Sequence, residues 1–440
     1  MAEIDADSET EDGSPSRPPV AGNNNPTGKN QYPDCPKPGD PQVNEYLREY
    51  HRKGITSYAK LSKLLKADHD ISMGAKTVQR RLEVLGLYAS GKTTKDMSEV
   101  EKRQLVADQL AKDPSRRKGP AIMKEAIAFD TGIHLTRDWI HDEMKLQDPE
   151  GFEERAPTAK KIPRVQLVVL GPNHEWSGDG HDKLSAIGFP IWGIRDVWCG
   201  RWLGLWVVPN NRLKVAIAYL YLSLVYEMGG MPVQSTTDCG SETTRVFALA
   251  NALREYFSPE LNSQETPAHR FLRSVHNVTI ERGWLQLRLQ WGLNVKKFWE
   301  AGLNIYDPLD KDHQNLVQWL WPNLIQRKLD TLKERFNHHK VRYDKDKINP
   351  SGTSPELAYK LYWEHGAHIT DGLQPVDRSV IGKLMEELGG PDILRFVTVG
   401  YEKMAQRVFD ELELGTVTFE NIWRVFEVML PHMSNIECDV

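Results

Sequence analysis

Cysteine is scarce: 440 residues hold four, Cys35, Cys199, Cys239 and Cys438. They are scattered with no C-x-x-C pair, which suits a reducing compartment and gives no zinc-site spacing. No apolar run approaches the roughly 18 residues that a membrane span needs. The first residues are acidic rather than basic and apolar, so no secretory signal is expected. No repeat of solenoid length occurs. Aliphatic residues are nearly missing from residues 1–42, which are rich in Asp, Glu, Ser, Pro, Gly and Asn. Such a stretch cannot bury enough surface to order itself, and a disordered acidic tail is expected there.

An excess of positive charge is also missing, since the net charge is −5. Its distribution matters more than its sum. Residues 1–20 carry six acids against one Arg, and residues 371–440 carry thirteen acids against six bases. The chain between them is therefore basic, at +7. That excess fits contact with phosphate, with acidic ends that shield the basic surface or keep the protein soluble. A hydrophobic share of 40% and a charged share of 27% describe a soluble globular protein, long enough for two or three cores.

Residues 43–90 read as a helix-turn-helix. Asn44–His51 and Ser57–Lys66 are amphipathic, and Ser72 is expected to cap a helix from about Gly74 to Leu85. That helix has Val78, Leu82 and Leu85 on one side and Lys76, Gln79, Arg80 and Arg81 on the other. A basic, polar-faced second helix is what a major-groove reader needs. Residues 97–150 repeat the theme, with helices over 100–112, 121–129 and 136–144. The run Arg116-Arg117-Lys118 between them reads as a phosphate contact, part of a nuclear-import patch, or a solvated loop.

The centre of the chain is organised differently. Runs over 187–194 and 201–208 are short, aliphatic and aromatic, and a Cys199-Gly200 turn joins them as a hairpin beside the segment holding Asp179. A helix over 213–228 stops at Gly229-Gly230, a strand over 231–237 delivers Asp238 at its end, and a helix over 241–256 follows. A brief strand over 269–273 and a helix over 277–291 complete the set, with Glu281 in the helix's first turns. In open α/β sheets, ligands bind outside the carboxyl ends of strands, which is where Asp238 falls. Alone, an Asp at a strand end is ordinarily a turn former. Converging, Asp179, Asp238 and Glu281 form an oxygen-rich, negative pocket of the kind that Mg²⁺ prefers. Trp176, Trp192, Trp198, Trp202 and Trp206 fall on apolar runs and read as core rather than as base-stacking platforms.

The motifs resemble those of the integrase core, the ribonuclease H-like catalytic domain of retroviral and retrotransposon integrases and many transposases. They look closest to the eukaryotic integrase-core proteins related to mobile elements. The first, W-x-x-D-G-x-x-K-L, is Trp176, Asp179, Gly180, Lys183 and Leu184. The second, D-x-G-x-E-N, is Asp238, Gly240 and Glu242, with Thr243 in place of Asn. The third, N-Q-R-I-E, is Asn277, Ile280 and Glu281, with Val278 and Thr279 in place of Gln and Arg. Gly178 stands where the first strand of the family has an apolar residue, and Asp196-Val197-Trp198 replaces a D-G-[YF]. The likeness continues through 337–342 and 350–352, and the zinc-binding module of retroviral integrases is not evident.

The resemblance implies an α/β fold: a ribonuclease H-like mixed five-stranded sheet flanked by helices over 165–300. All-α helix-turn-helix modules precede it, a helical extension over 301–365 follows, and an acidic helical region over 366–440 ends the chain. It implies DNA strand transfer or endonucleolytic processing with two Mg²⁺ or Mn²⁺ ions held by Asp179, Asp238 and Glu281. Asp182 and Glu242 are expected to support them, and Lys183, Asn277 and Arg282 to contact DNA along with the helix-turn-helix residues. A homo-oligomer in the nucleus is expected. The alternatives are an inactive, domesticated integrase that binds DNA, and a ribonuclease H-like nuclease acting on RNA hybrids.

Overall fold

A computed structural model of the chain describes residues 35–154, 169–272, 278–345 and 347–433. Most of the acidic tail, the basic 155–164 linker and Asn277 lie outside the described residues.

The first three helices, α1 (Pro41–Arg52), α2 (Tyr58–His69) and α3 (Ala75–Val84), are short and amphipathic, and they close on their own apolar centre of Leu47, Leu61, Leu64, Leu65, Val78 and Leu82. Asp40 starts α1 by accepting from the amides of Gln42 and Val43, next to Pro41 at the first helical position. The expected Ser72 cap is not used: α3 begins after Gly74 without a side-chain cap. A linking helix, α4 (Ser90–Asp96), leads to α5 (Glu99–Ala111), α6 (Pro120–Thr131), α7 (Arg137–Gln147) and α8 (Pro149–Glu154). Val106, Met123, Ile127, Leu135, Ile140 and Met144 fill the centre of this second helical group.

The basic loop between α5 and α6 is not solvated as a unit. Lys118 is only 6% exposed, and Arg116 pairs with Glu150 at 2.8 Å and Asp148 at 3.6 Å. The 3.6-residue period marks which helical faces are apolar but says nothing about a loop clasped by a distant helix.

The remaining chain supplies β1 (Glu175–His181), β2 (Ile191–Asp196), β3 (Trp202–Val207), α9 (Lys214–Met228), β4 (Gly230–Met231) and β5 (Gln234–Asp238). These are followed by α10 (Thr244–Phe257), β6 (His269–Leu272), α11 (Val278–Leu287), α12 (Leu293–Glu300) and α13 (Lys311–His338). The last elements are α14 (Pro355–Lys360), β7 (Gln374–Pro375), α15 (Arg378–Glu387), α16 (Val399–Glu411) and α17 (Ile422–Met433). The main sheet has five strands in the order β3-β2-β1-β5-β6. The first three strands run antiparallel, and β1, β5 and β6 run parallel, so the sheet is mixed as expected. A tight turn at Gly200, with φ of +76°, allows the β2–β3 hairpin.

Two apolar layers sandwich the sheet. One holds Trp176, Trp192 and Ile194 against α9, α10 and α15. The other packs Ile191, Trp202 and Leu205 against α11, α12 and α13, and α16 and α17 extend it. Trp423, Phe426 and Met429 of α17 are buried in this layer, so the apolar face of the acidic C-terminal region packs inward. Helix α13 runs unbroken through Pro322.

Candidate active site

Three elements deliver the carboxylates. Strands β1 and β5 pair in parallel with Glu175 opposite Gln234 and Ser177 opposite Thr236. The same register, carried two residues on, sets Asp179 level with Asp238. Because side chains alternate across a strand, both project from one face of the sheet. Helix α11 packs on that face against β1 and β2, and its first turn carries Glu281 at the surface.

Asp179 is half-buried, and both its oxygens are engaged. Oδ1 accepts from the Gly180 amide at 2.8 Å, and Oδ2 accepts from Trp284 Nε1 at 2.9 Å. Its pKa is nonetheless pushed up to about 7, first by burial and then by the negative charges of Asp238 and Glu281, against the pull of the Trp284 and Gly180 hydrogen bonds. Asp179 therefore senses both of the other carboxylates. Asp238 is half-buried and accepts from the Gly240 amide at 3.2 Å. Thr243 is fully buried, and its hydroxyl donates to Gly240 O at 2.8 Å and Asp238 O at 3.3 Å. The residue in place of the family's Asn thus fixes the turn that follows Asp238.

Asp182, three residues beyond Asp179, accepts from Asn211 at 2.6 Å and from Arg212 at 2.8 Å. Its partner is therefore Arg212 rather than the neighbouring Lys183. Glu242 lies back over Gly240, where an added Cβ would collide with its carboxylate. Among the described residues no three His, Cys, Asp or Glu side chains are gathered closely enough to hold a metal ion. The trio is aligned but not closed. By donor type and charge it fits a hard divalent cation, since every donor is a carboxylate oxygen and like charges stand together.

Cations lie around His181, next to Trp284. His181 stacks on Trp284 with ring centres 4.9 Å apart, and its pKa is held down to about 4 by burial and then by the charges of Lys183 and Arg288, with Lys296 adding to them. Lys183 is exposed beside this group. Trp284, Arg288 and Lys296 were not anticipated, although Trp284 stands three residues after Glu281 on α11 and Arg288 follows directly on the end of that helix. Arg282 is exposed, and its charge reaches Arg195 and Lys347.

On α3, Lys76 and Arg80 are exposed and Gln79 is half-buried, bonded to Glu83 at 2.9 Å. Arg81 departs from expectation. It is 7% exposed and turned back under the domain, donating to Lys37 O at 2.9 Å and to Pro36 O. It holds the chain ahead of α1 instead of facing outward. Residue type alone does not separate a groove-facing arginine from one that satisfies buried carbonyls.

The geometry agrees with a comparison of the sequence with known families: residues 167–352 match the model described as "Integrase core domain". The chain carries an integrase core domain. A search of curated proteins finds no match. At the level of the family, an integrase core domain points to polynucleotidyl transfer on DNA, and such domains generally use divalent metal ions. Among the described residues no helix is long and apolar enough to cross a membrane. The five strands of the main sheet and α11, and with them the three acidic positions, lie within the matched residues.

Proposed function

We propose that the protein cuts or joins DNA strands by phosphoryl transfer assisted by two divalent cations, Mg²⁺ or Mn²⁺. Asp179, Asp238 and Glu281 hold the ions, with Asp179 and Asp238 shared between them and Glu281 completing the second site. One observation carries this reading. Two carboxylates stand in one strand register with a third on the overlying helix; burial first, and then the charges of Asp238 and Glu281, push the Asp179 pKa up to about 7, and the one direct counterweight beyond a backbone amide is a neutral indole. A protein with no use for cations there has no reason to keep such repulsion. The ions would polarise the scissile phosphate and activate the attacking oxygen. Lys183, Arg288 and Lys296 neutralise phosphates flanking the scissile bond, and Arg282 with Lys347 extends the basic border. Exposed Lys76 and Arg80 on α3 bind the duplex away from the cut, and an oligomer acting on chromosomal DNA in the nucleus fits this division.

The test is nicking and strand joining of DNA in Mg²⁺ or Mn²⁺. Asp238→Asn and Glu281→Gln should each abolish the reaction while DNA affinity stays within about twofold, because affinity rests on phosphate contacts. Activity that survives both changes overturns the assignment. DNA binding without catalysis is the second reading, supported by Lys76 and Arg80, whose exposed positions need no carboxylate. Under it, wild type binds DNA, cuts none, and Asp238→Asn changes nothing.

A further inference from the structure

Trp284 occupies a slot that only glycines leave open. A Cβ on Gly193 of β2 would fall 2.6 Å from Trp284 Cη2 and 2.7 Å from Trp202 Cζ3. A Cβ on Gly283 would fall 2.5 Å from Trp202 Cζ2 and 2.7 Å from Arg195 Nη1. Through that slot the indole reaches the sheet, 4% exposed, with His181 stacked on one side and Trp202 tilted against it at 4.9 Å. Its single polar atom ends on Asp179 Oδ2 at 2.9 Å. A second tie lies one turn earlier, where Arg195 Nη1 donates to Thr279 O at 2.6 Å. Glu281 lies between these two ties.

From this geometry we infer that Trp284 is a positioning residue of the integrase site: its indole N–H orients the Asp179 carboxylate and, through α11, sets Glu281 against it. The inference rests on the metal-dependent reading proposed above. An aromatic ring wedged between two strands and a helix cannot drift, so its N–H gives Asp179 one orientation. Removal of such an outer partner from a ligating carboxylate typically costs 10–100-fold in metal affinity or activity. Nothing in the apolar packing demands a nitrogen at that spot, because Trp202 and Trp291 bury their indole N–H groups in the same layer without a partner.

The experiment uses the full chain with Mn²⁺ as the probe. Trp284→Phe removes the donor and keeps a ring. Benzothienylalanine at position 284, with sulfur in place of N–H, removes the donor and keeps the shape, so it carries the test if the Phe variant does not fold. Both should weaken Mn²⁺ binding by calorimetry about tenfold. Both should lower kcat on DNA to a similar degree with KM little changed. Mn²⁺ affinity and kcat within about twofold of wild type in a folded benzothienyl protein overturn the inference. Wild type that takes up no Mn²⁺ overturns the proposed function and this role together, whereas wild type that binds Mn²⁺ beside an unaffected variant overturns the role alone.

Discussion

Asp179 and Glu356 are both acids sunk into the protein, and their acidities have moved in opposite directions. Burial drives both upward. At Glu356, 7% exposed on α14, the charge and hydrogen bond of Arg201 at 2.5 Å, with Lys360 at 3.3 Å, overcome burial and bring the pKa down to about 2. At Asp179 the neighbouring charges are negative and burial wins, leaving the pKa near 7. Glu356 belongs to a joint: Lys360 also pairs with Asp68 at 2.9 Å, and Lys63 of α2 pairs with Glu364, so the first helical group is tied to the integrase core through this corner. A carboxylate that serves architecture has its cation built in. On the proposed function, a carboxylate left among its own kind takes its cation from solution.

The largest effect should separate the two by activity. Asp238→Asn should reduce metal-dependent cleavage by at least about 10³-fold, the scale of removing a charge that acts directly on the transition state. The same change should leave the metal-free protein as stable as wild type or slightly more so, because it removes a repulsion from Asp179. Activity assays beside thermal melts in chelator decide it. A variant that loses both activity and stability would place Asp238 with the architectural acids.

The reverse outcome is expected at the joint. Glu356→Gln leaves the half-buried Arg201 without its carboxylate, which should cost about 1.5–3 kcal/mol, measured by denaturant unfolding. Acid should expose the same contrast. Glu356 stabilises the fold above its unfolded pKa of about 4.5, and that contribution is lost as pH falls from there through 2. Asp179, raised from 3.8 to about 7, does the opposite in metal-free protein: its contribution is present below pH 3.8 and lost as pH rises through 7. Melting temperature against pH in chelator should therefore flatten between about pH 3.8 and 7 in Asp179→Asn, and between about pH 4.5 and 2 in Glu356→Gln. Unchanged slopes would remove the contrast.

A smaller effect concerns α3. Lys76→Ala with Arg80→Ala should weaken DNA binding about tenfold in low salt and reduce the salt slope by roughly two contacts. Arg81→Ala should instead destabilise α1–α3 by about 1–2 kcal/mol, because it frees the carbonyls of Pro36 and Lys37 while leaving the exposed face intact. Anisotropy titrations beside unfolding curves distinguish the two. Equal losses of DNA affinity would put Arg81 back on the binding face.

The sheet and the acidic trio were legible because they depend on local pattern. The apolar run over 201–208 and the Gly229-Gly230 stop each reflect backbone geometry that neighbouring residues dictate. The equal offsets of 59 residues between Asp179 and Asp238 and between Ser177 and Thr236 are the β1–β5 register itself. What escaped involves partners far along the chain. Asn294 binds the loop of Asp113 and Ser115 from 181 and 179 residues away, at 2.9 and 2.7 Å, and nothing in a run of basic residues announces such a clasp. Trp284 escaped for another reason: tryptophan on an apolar stripe satisfies the packing pattern, and its lone N–H has no signature until the strand opposite is known.

The smallest effect falls next to Asp179 on the other face of the same strand. Gly178 points away from α11, and an added Cβ would make ordinary contacts of 3.4 Å to Trp192 Cζ2, 3.6 Å to Thr237 Cγ2 and 3.7 Å to Ile194 Cγ1. A cavity of about 10 Å³ lies there, lined by Gly178, Trp192, Ile194, Ile217, Tyr221 and Val246. The resembled family carries an apolar side chain at this position, and the space it would fill has not fully closed. Gly178→Ala should stabilise the protein by about 0.5–1 kcal/mol, partly through the unfolded chain, since Gly178 sits inside a strand without a positive φ. Gly178→Val should gain less or lose, because its extra methyls outgrow so small a void. Cleavage should be unchanged in the Ala variant, measured beside its unfolding midpoint. If stability rose and activity fell together, the two faces of β1 would be coupled, and the division between a face that packs and a face that bears the carboxylates would fail at adjacent residues.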